Sequence, residues 1–301
     1  MKILLLGKNG QVAWELQRAL QPLGHVIALD RSVNEDGFCG DVANFSAIED
    51  ALTQIQPNII VNATAYTAVD KAESEKELAD LINHKAVAHL AQLCQQQNIL
   101  LVHYSTDYVF EGTGIAPWTE DAPKQPVNHY GQTKLDGEYA LEKSQARFIN
   151  FRTCWVYGAH GNNFIKTMLK LAQTKEELSI IQDQVGVPTG AALIADVTAQ
   201  ALRYYTLQPT NLQQQLHGHY HLAPAGETTW YDYANYIFEQ ARQCGVVLAI
   251  QKVNSIATSA YPTPARRPLN SRLNTQKLQQ AFKLHMPEWK QGVAQVINEI
   301  L

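Results

Sequence analysis

The sequence predicts an α/β protein in which a doubly wound parallel sheet is followed by a smaller C-terminal α/β lobe. Short, continuous apolar runs alternate with amphipathic helical patterns through the first half of the chain, as in parallel strands that are buried on both faces. A glycine turn directly follows the first of these runs. After about residue 152 the elements shorten and no further glycine turn occurs. We therefore predict two units, residues 1–152 and 153–301, and allow later segments to return to the first unit.

The first 30 residues carry the clearest pattern. Residues 1–6 form an apolar strand, and a Gly-x-x-Gly-x-x-Ala turn at residues 7–13 leads into a helix that Gly24 ends. A second strand at residues 25–29 leads to Asp30. This order is the layout of a dinucleotide-binding unit of the Rossmann type, which has a strand, a glycine turn, a helix, a second strand and an acidic residue. The glycines let the backbone approach a pyrophosphate at the helix N-terminus, and Asp30 is placed to bond a ribose hydroxyl.

The alternation of strands and helices continues along the chain. In the first half we predict strands at residues 58–62, 99–104 and 148–152, a short third strand closed by Asp41 after Phe38, and helices at 44–55, 73–97 and from Tyr130. In the second half we predict a helix from 162–164, strands at 178–181 and 246–253, helices near 190–206 and 230–244, and an extended loop at 261–268. Repeats of this length favour right-handed crossovers within one parallel sheet.

Composition limits the classes of function. The chain has 301 residues, of which 46% are hydrophobic and 17% charged, as expected of a globular protein with a full core. The net charge of −4 gives no reason to expect nucleic acid or an anionic membrane as a partner. No apolar run approaches the ~20 residues of a membrane helix. The four cysteines lack metal-type spacing, so we expect buried or idle thiols in the cytoplasm.

One Tyr–Lys pair carries the chemistry that we predict. Tyr130 and Lys134 are four residues apart, which stacks two side chains on one face of a helix. A nearby ammonium favours a phenolate, so the pair could move a proton on or off a carbonyl or alcohol oxygen. Tyr139 and Lys143 repeat the spacing, but nine residues turn a helix by half a turn net. Because the helix N-terminus lies near the ligand-binding ends of the strands, we choose Tyr130 and interpret Tyr139 as a packing or surface residue.

Hydroxyl groups end the strand that precedes this helix. Ser105 and Thr106 follow the apolar run at 99–104, and either could bond the same substrate oxygen as Tyr130. His103 lies inside that run, so we interpret it as a core or hydrogen-bonded histidine and not as a catalytic one. The small-residue loop at 63–67 is predicted to pass over the central atoms of the cofactor.

Several motifs together resemble the extended short-chain dehydrogenase/reductases. They are the glycine turn, the Tyr-Ser-Thr-Asp-Tyr-Val-Phe run at 104–110, Tyr130-x-x-x-Lys134, Arg-Thr-x-Trp-Val-Tyr at 152–157 and Arg-Pro-x-x-Ser-x-Leu at 267–273. More narrowly, the chain resembles the dTDP-4-dehydrorhamnose reductase family along essentially its whole length. The resemblance implies NAD(P)H-dependent reduction of the 4-keto group of dTDP-4-dehydro-L-rhamnose. That step completes dTDP-L-rhamnose, a precursor of cell-surface polysaccharide such as lipopolysaccharide O-antigen.

The resemblance also implies roles for individual residues. It implies that Thr106, Tyr130 and Lys134 are catalytic. At the cofactor it implies, together with Gly7 of the glycine turn, the residues Gly10, Gln11, Val12, Asp30, Asp41, Val42, Ala65, Tyr66, Thr67, Tyr104, Tyr130 and Lys134. At the substrate it implies Thr106, Asp107, Tyr130 and Trp155. Trp155 would offer an apolar face to the deoxysugar methyl group, and Arg266 and Arg267 are our candidates for the two phosphates.

The residues after the second strand bear on the choice between NADH and NADPH. Asp30 alone predicts NADH, because a carboxylate bonds both ribose hydroxyls and repels a 2′-phosphate. Arg31 follows directly and can pair with that phosphate bidentately, with Lys8 nearby. Opposite charges about 4 Å apart gain roughly 1–4 kcal/mol, which is comparable with the repulsion from Asp30. We therefore predict that Arg31 permits use of both cofactors.

Some members of this family hold Mg²⁺ between two subunits through glutamates. Glu15 and Glu299 are available here, but Ala191 and Ala192 stand where an acid is expected. We therefore predict no metal site, keep Mg²⁺ as a weaker alternative, and leave a homodimer open.

Two other functions stay open at this point. Nucleotide-sugar epimerases and dehydratases with bound NAD share the general pattern, but the dehydratases show Asp-Glu after the threonine, whereas Asp107 and Tyr108 follow Thr106 here. The regulatory subunit of methionine adenosyltransferase also resembles these reductases and is not an enzyme. The presence of Thr106, Tyr130 and Lys134 together favours catalysis.

Overall fold

A central six-stranded parallel sheet organises the computed structural model, which describes residues 1–301. Along the whole chain there are twelve strands, six of them in this sheet and six in three separate pairs. They are β1 (Lys2–Leu6), β2 (His25–Leu29), β3 (Ile59–Asn62), β4 (Leu100–Thr106), β5 (Phe148–Thr153), β6 (Val156–Tyr157), β7 (Glu177–Ile181), β8 (Val185–Gly186), β9 (Thr189–Gly190), β10 (Gly218–His221), β11 (Thr228–Thr229) and β12 (Lys252–Ile256). The order in the sheet is β2-β1-β3-β4-β5-β10. The chain leaves β1 on one side and returns to β3 on the other, which opens a crevice at their carboxyl ends.

Helices cover both faces of the sheet and build the second lobe. They are α1 (Gln11–Ala19), α2 (Phe45–Ile55), α3 (Val69–Ala72), α4 (Lys76–Asp80), α5 (Ala86–Gln97), α6 (His129–Ser144), α7 (Phe164–Ala172), α8 (Ala191–Leu207), α9 (Thr210–Gln215), α10 (Trp230–Gln243), α11 (Gln276–Phe282) and α12 (Trp289–Ile300). A π-helical turn, Leu81–Lys85, joins α4 to α5. None of these helices combines the length and apolarity needed to cross a membrane.

Alternate strand residues fill separate cores on the two faces of the sheet. Ile3 and Leu5 of β1 pack with α1, α8 and α11, whereas Leu4 and Leu6 pack with α2 and α5. This split follows from the two-residue period of a strand. Burying one such side chain contributes about 1.5–3 kcal/mol, so both cores fix the strand register that aligns the carboxyl ends.

The second lobe has a core of its own. It is built from α7, α10 and α12 together with the parallel pair β7 and β12. Val109 and Phe110, which follow β4, are part of this core. The lobe is therefore packed directly against the segment that leaves the carboxyl end of β4.

The α/β fold class predicted from the sequence is confirmed. The chain also returns to the sheet in its second half, because β10 pairs in parallel with β5 and α8 packs on α1. The β10 segment, Gly-His-Tyr-His, is not an apolar run, so periodicity could not find it. The division at residues 152 and 153 stays a prediction.

Two element predictions are wrong. No strand is closed by Asp41, because Asn34 folds the chain into a turn through its side chain and Cys39 makes only one bridge to Val33. The strand predicted at 246–253 begins later, at Lys252, where pairing with β7 starts. The helical pattern predicted at 73–97 is confirmed from Lys76 to Gln97, where α4, the π-helical turn and α5 follow one another without a break.

A buried ion pair joins α6 to β5. Arg152 donates from Nε and Nη2 to the two carboxylate oxygens of Glu138, each at 2.8 Å, and both side chains are fully buried. Arg152 Nη1 also donates to the Glu120 carbonyl at 3.1 Å, and its guanidinium lies over the Phe110 ring. Burial alone would raise the pKa of Glu138, but the hydrogen bonds and charge of Arg152 outweigh burial and lower it.

Glu138→Gln is expected to destabilise the chain strongly, because it leaves the Arg152 charge uncompensated in the core. Breaking one side of a buried pair typically costs about 3–5 kcal/mol of unfolding free energy. Glu142→Gln, one turn along α6, is the control: Glu142 pairs with Lys124 at a part-exposed site, where about 0–1 kcal/mol is expected. Urea unfolding of both variants measures the difference, and equal losses would contradict this account of the pair.

Candidate active site

Tyr130 and Thr106 meet at the carboxyl end of the sheet. Thr106 is the last residue of β4, and Tyr130 lies in the first turn of α6; both are largely buried. Asn128 caps α6 by accepting from the Gly131 N–H at 2.8 Å. A Cβ at Gly131 would lie 2.3 Å from the Tyr108 carbonyl oxygen, so only glycine allows this approach. The helix start is thereby held against the segment that carries Thr106.

Burial dominates the electrostatics of Tyr130. It raises the pKa of the Tyr130 hydroxyl well above its ordinary value, and a hydrogen bond with Thr106 acts weakly in the opposite direction. The Tyr108 ring packs edge-on at 5.6 Å. The lowering of this pKa that the sequence suggested is not found, because burial outweighs the hydrogen bond with Thr106. Tyr130 is thus protonated at neutral pH and can act as a proton donor.

Lys134 lies one turn deeper on α6 and is only 2% exposed. Its Nζ donates to the Tyr104 carbonyl oxygen at 2.7 Å and lies 3.3 Å from His103 Nε2. Burial lowers the pKa of Lys134 to about 8, although the charge of Glu138 opposes this shift. The ammonium and the free amine are therefore both accessible close to neutral pH.

The competing pair lies on the opposite side of the helix. Tyr139 is 45% exposed, and Lys124 of the preceding loop lies over its ring. This agrees with the half-turn that separates the two tyrosines, so the interpretation of Tyr139 as a surface residue is confirmed.

Asp107 is a buried acid beside the two hydroxyls. Its Oδ1 accepts from Thr106 Oγ1 at 3.1 Å, and its Oδ2 has no partner. Burial raises the pKa of Asp107 to about 7, and the neighbouring hydroxyls of Ser271 and Thr106 limit the rise. An unpartnered buried oxygen is costly, so Asp107 Oδ2 is free to accept a hydrogen bond from a ligand.

The glycine turn has the geometry expected of a pyrophosphate site. Gly7 has φ +92°, and a Cβ there would lie 3.0 Å from the Thr64 methyl group. No side chain caps α1, so its first N–H groups stay available to an anion. Gln11 accepts a hydrogen bond from Asn163, and Val12 packs against the main core. At these two positions the backbone, and not the side chain, is offered to a ligand.

Asp30 is held in place at the end of β2. Ser32 bonds its Oδ1 through both N–H and hydroxyl, Asn9 donates to its Oδ2 at 2.7 Å, and Lys8 lies 4.0 Å away. The Ser32 hydrogen bonds are the main cause of a lowered pKa, so the carboxylate stays charged. Arg31 is exposed next to it.

The remaining predicted cofactor residues differ in which of their groups are exposed and which are buried or already hydrogen-bonded. Asp41 accepts from the Ala43 N–H, and Val42 is buried. Ala65 and Thr67 are exposed beside Tyr66. The Tyr104 side chain points into the main core and bonds Thr198 at 2.8 Å, so only its carbonyl faces Lys134.

Asn83 clamps the loop at 63–67. It accepts from the Tyr66 N–H at 2.9 Å and donates to the Tyr66 carbonyl and to Thr133 of α6, each at 3.1 Å. Asn83 is fully buried within the π-helical turn, a feature that often marks functional sites. The clamp ties the predicted cofactor loop to the helix of Tyr130. It was not found from the sequence, where the only signal was an asparagine inside a helical pattern.

Trp155 sits where the second lobe meets the sheet. Its φ of +48° is rare for a bulky residue and is typical of strained functional positions. One face of its ring stacks on Trp230 at 3.7 Å, and a Cβ at Gly186 would lie 2.8 Å from it. Trp230 was missed by sequence reasoning because it comes from α10, 75 residues away in the chain.

The two arginines of the 261–268 loop are not equivalent. Arg266 is exposed, and its carbonyl accepts from Asn128 at 2.8 Å. Arg267 pairs with Asp70 of α3 at 2.6 Å and also lowers the pKa of Tyr108, although burial raises that pKa overall. Asp70 was not among the predicted site residues.

The glutamates considered for a metal line one surface cavity of about 600 Å³. Glu15 pairs there with Arg18 at 3.5 Å, and Ala192 contributes a methyl group that cannot bind an ion. A separate cluster of Asp80, His84 and Asp136 has ligand-type atoms within 4.8 Å, but Lys85 already bonds Asp80 at 2.8 Å.

Comparison with known proteins identifies the family. The model of the RmlD substrate binding domain matches residues 1–301. A dTDP-4-dehydrorhamnose reductase of Escherichia coli K12 is 53% identical over 300 residues, covering 100% of this chain and 98% of the relative. Crystal structures of dTDP-4-dehydrorhamnose reductases from Clostridium acetobutylicum and, in complex with NADP, from Bacillus anthracis share 33% and 31% identity, with TM-scores of 0.88 and 0.87. The first covers 100% of this chain and 99% of that one, the second 99% of each. The chain therefore belongs to the RmlD substrate binding domain family.

Proposed function

We propose that the chain reduces the 4-keto group of dTDP-4-dehydro-L-rhamnose with NAD(P)H to give dTDP-L-rhamnose. One observation carries the proposal: a protonated Tyr130, beside Thr106 and above Lys134, at the carboxyl end of β4 in a chain 53% identical to such a reductase. The Bacillus anthracis relative was crystallised with NADP. The presence of Thr106, Tyr130 and Lys134 together favours this activity over a non-catalytic regulatory role. Tyr108 stands where the dehydratases have a glutamate, which disfavours a dehydratase.

The residues present fit a dinucleotide. The turn at Gly7 and the uncapped start of α1 can accept a pyrophosphate, while Asp30 is positioned for the adenosine ribose. Ala65, Tyr66 and Thr67 form the loop that we assign to the central part of the cofactor. When bound, the reduced nicotinamide supplies a hydride to carbon 4 of the sugar.

Tyr130 supplies the proton of the reaction. Its hydroxyl gives a proton to the oxygen on carbon 4 as the carbonyl becomes an alcohol, and the phenolate that remains is stabilised by the Thr106 hydroxyl and Lys134. Burial excludes water from these groups, which strengthens each interaction. NAD(P)⁺ and dTDP-L-rhamnose are the products.

The sugar and its phosphates occupy the side of the second lobe in this proposal. Trp155 offers the ring face not covered by Trp230 to the deoxysugar methyl group, and Asp107 Oδ2 accepts from a sugar hydroxyl. Arg266 meets the diphosphate directly, and Arg267 can do so by leaving Asp70.

The biological setting follows from the substrate. A reductase that uses NAD(P)H to make a soluble nucleotide sugar needs both of these small molecules in its compartment, so we place the chain in the cytoplasm, in the synthesis of cell-surface polysaccharide. We propose no nucleic-acid or membrane partner and no resident metal, and a homodimer is compatible with the exposed cavity around Glu15.

Tyr130→Phe should keep cofactor binding but lower kcat by at least the ~10²-fold expected of general acid catalysis. Tyr139→Phe is the matched control, because the same substitution is made on the exposed face of the same helix. Steady-state reduction of substrate generated in situ measures both. If Tyr139→Phe were the inactive variant, the choice between the two pairs would be wrong.

Trp155→Ala should raise KM for the nucleotide sugar and leave KM for the cofactor nearly unchanged, because the ring is assigned to the sugar. Removing one buried apolar contact predicts a change of roughly 10–200-fold. Trp155→Phe keeps an apolar ring and should be affected less. Equal loss for both ligands would indicate a folding defect instead.

Arg31→Ala should weaken NADPH selectively, and the loss should shrink as salt rises because Arg31 is exposed. In the wild type, Asp30 disfavours NADPH and Arg31 favours it. We therefore predict that the apparent affinities for NADH and NADPH differ by no more than roughly tenfold, or about 1.4 kcal/mol. Steady-state titration with each cofactor tests this, with Arg203→Ala, an exposed arginine of α8, as control. A wild-type preference above about a hundredfold, or an Arg31→Ala effect equal on both cofactors, would refute this balance.

A further inference from the structure

A row of buried polar side chains runs across the sheet beneath Lys134. Asn62 of β3 lies beside His103 of β4 in register, and His103 lies beside Asn150 of β5. All three are at most 1% exposed. Buried polar groups are costly unless each finds a partner, so the hydrogen bonds of this row can be assigned one by one.

A backbone group fixes the orientation of Asn62. The Thr64 N–H lies 3.1 Å from Asn62 Oδ1, and the Thr64 hydroxyl lies 2.6 Å from the same oxygen. Since a backbone N–H can only donate, the atom it meets is the amide oxygen, and the amide nitrogen then faces His103 Nδ1 at 3.2 Å. Nδ1 is therefore the acceptor, and the single proton of a neutral imidazole is on Nε2.

The protonated nitrogen of His103 faces Lys134. Nε2 lies 3.3 Å from Lys134 Nζ, which also donates to the Tyr104 carbonyl. An N–H directed at a free amine bonds to the amine lone pair, whereas an N–H directed at an ammonium meets no acceptor. The contact therefore favours the neutral amine over the ammonium.

The other groups around Lys134 act in both directions. Burial lowers the pKa of Lys134 to about 8, and Glu138 on the same helix raises it, although that carboxylate is already paired with β5. Tyr130, one turn earlier, is protonated and uncharged. Burial, with the charges of Lys134 and of His219 on β10, holds the pKa of His103 well below its ordinary value. His103 thus stays neutral at physiological pH.

We propose, building on the reductase function above, that His103 is a positioning residue for Lys134. In its Nε2–H tautomer it holds the Lys134 amine against β4 and sets the pH at which that amine becomes charged. It acts through Lys134 and not on the substrate. This contact can be followed in the pH profile of the reduction rate, on the alkaline limb, where the rate falls as the pH rises.

The tautomer can be read directly in the wild-type chain. We expect the 15N shifts of His103, assigned through the backbone, to show a protonated Nε2 and an unprotonated Nδ1 across the neutral pH range. A protonated Nδ1 would overturn the proposal. The spectrum needs no turnover and no variant, so it decides the matter even if the wild type fails to reduce the sugar, a result that would contradict the proposed function alone.

His103→Gln tests the consequence for catalysis. Its amide can turn an oxygen toward Lys134 and favour the ammonium, so the alkaline limb of kcat/KM should move upward by about one pH unit, which corresponds to one ordinary hydrogen bond. His217→Gln is the control, since His217 is a partly buried histidine that bonds Tyr205 and makes no hydrogen bond to Lys134 or to the row. The proposal would be contradicted if the alkaline limb of the kcat/KM profile did not move in His103→Gln, or if it moved equally in the control.

Discussion

The close approach of α6 to its neighbours is the constraint on which the site depends. Two glycines permit it: a Cβ at Gly131 would lie 2.3 Å from the Tyr108 carbonyl oxygen, and a Cβ at Gly137 would lie 2.2 Å from the Asn83 carbonyl oxygen. Any larger side chain at either position would push the helix away from the turn after β4 or from the π-helical turn. Tyr130 and Lys134 lie on the same buried face of the helix as these glycines, so backbone contacts with the turn after β4 and with the π-helical turn hold this face in place.

Burial then determines the protonation states on that face. The low-dielectric surroundings penalise every charge, so Tyr130 keeps its proton, Asp107 titrates near 7 and Lys134 near 8. Glu138 differs from Asp107 in that its pKa is lowered despite burial, because Arg152 meets both of its oxygens. A protonated phenol beside a carbonyl is the arrangement that reduction requires. The ion pair beneath it fastens α6 without placing a net charge near the reacting atoms.

The sequence predicted what depends on local pattern and missed what depends on distant contacts. The glycine turn, the strand before it and the choice of Tyr130 over Tyr139 all followed from periodicity and spacing within one or two elements. The stack of Trp155 on Trp230, the pairing of Arg267 with Asp70 and the clamp by Asn83 join residues from different parts of the chain. β10 was missed for a related reason, since its four residues carry little apolar signal and become a strand only by pairing with β5.

Two arginines show how exposure decides whether a charge is available to a ligand. Arg152 is fully buried in its pair with Glu138. Because moving either partner would leave an uncompensated charge in the core, Arg152 is not available to bind a ligand. Arg267 also holds a carboxylate, but the Arg267 and Asp70 side chains are 20% and 40% exposed. An ion pair of that kind contributes only about 0–1 kcal/mol, and water can solvate Asp70 once it is released. A diphosphate offers Arg267 more negative charge than one carboxylate does. In the proposed function, exchange of Asp70 for the diphosphate therefore costs little.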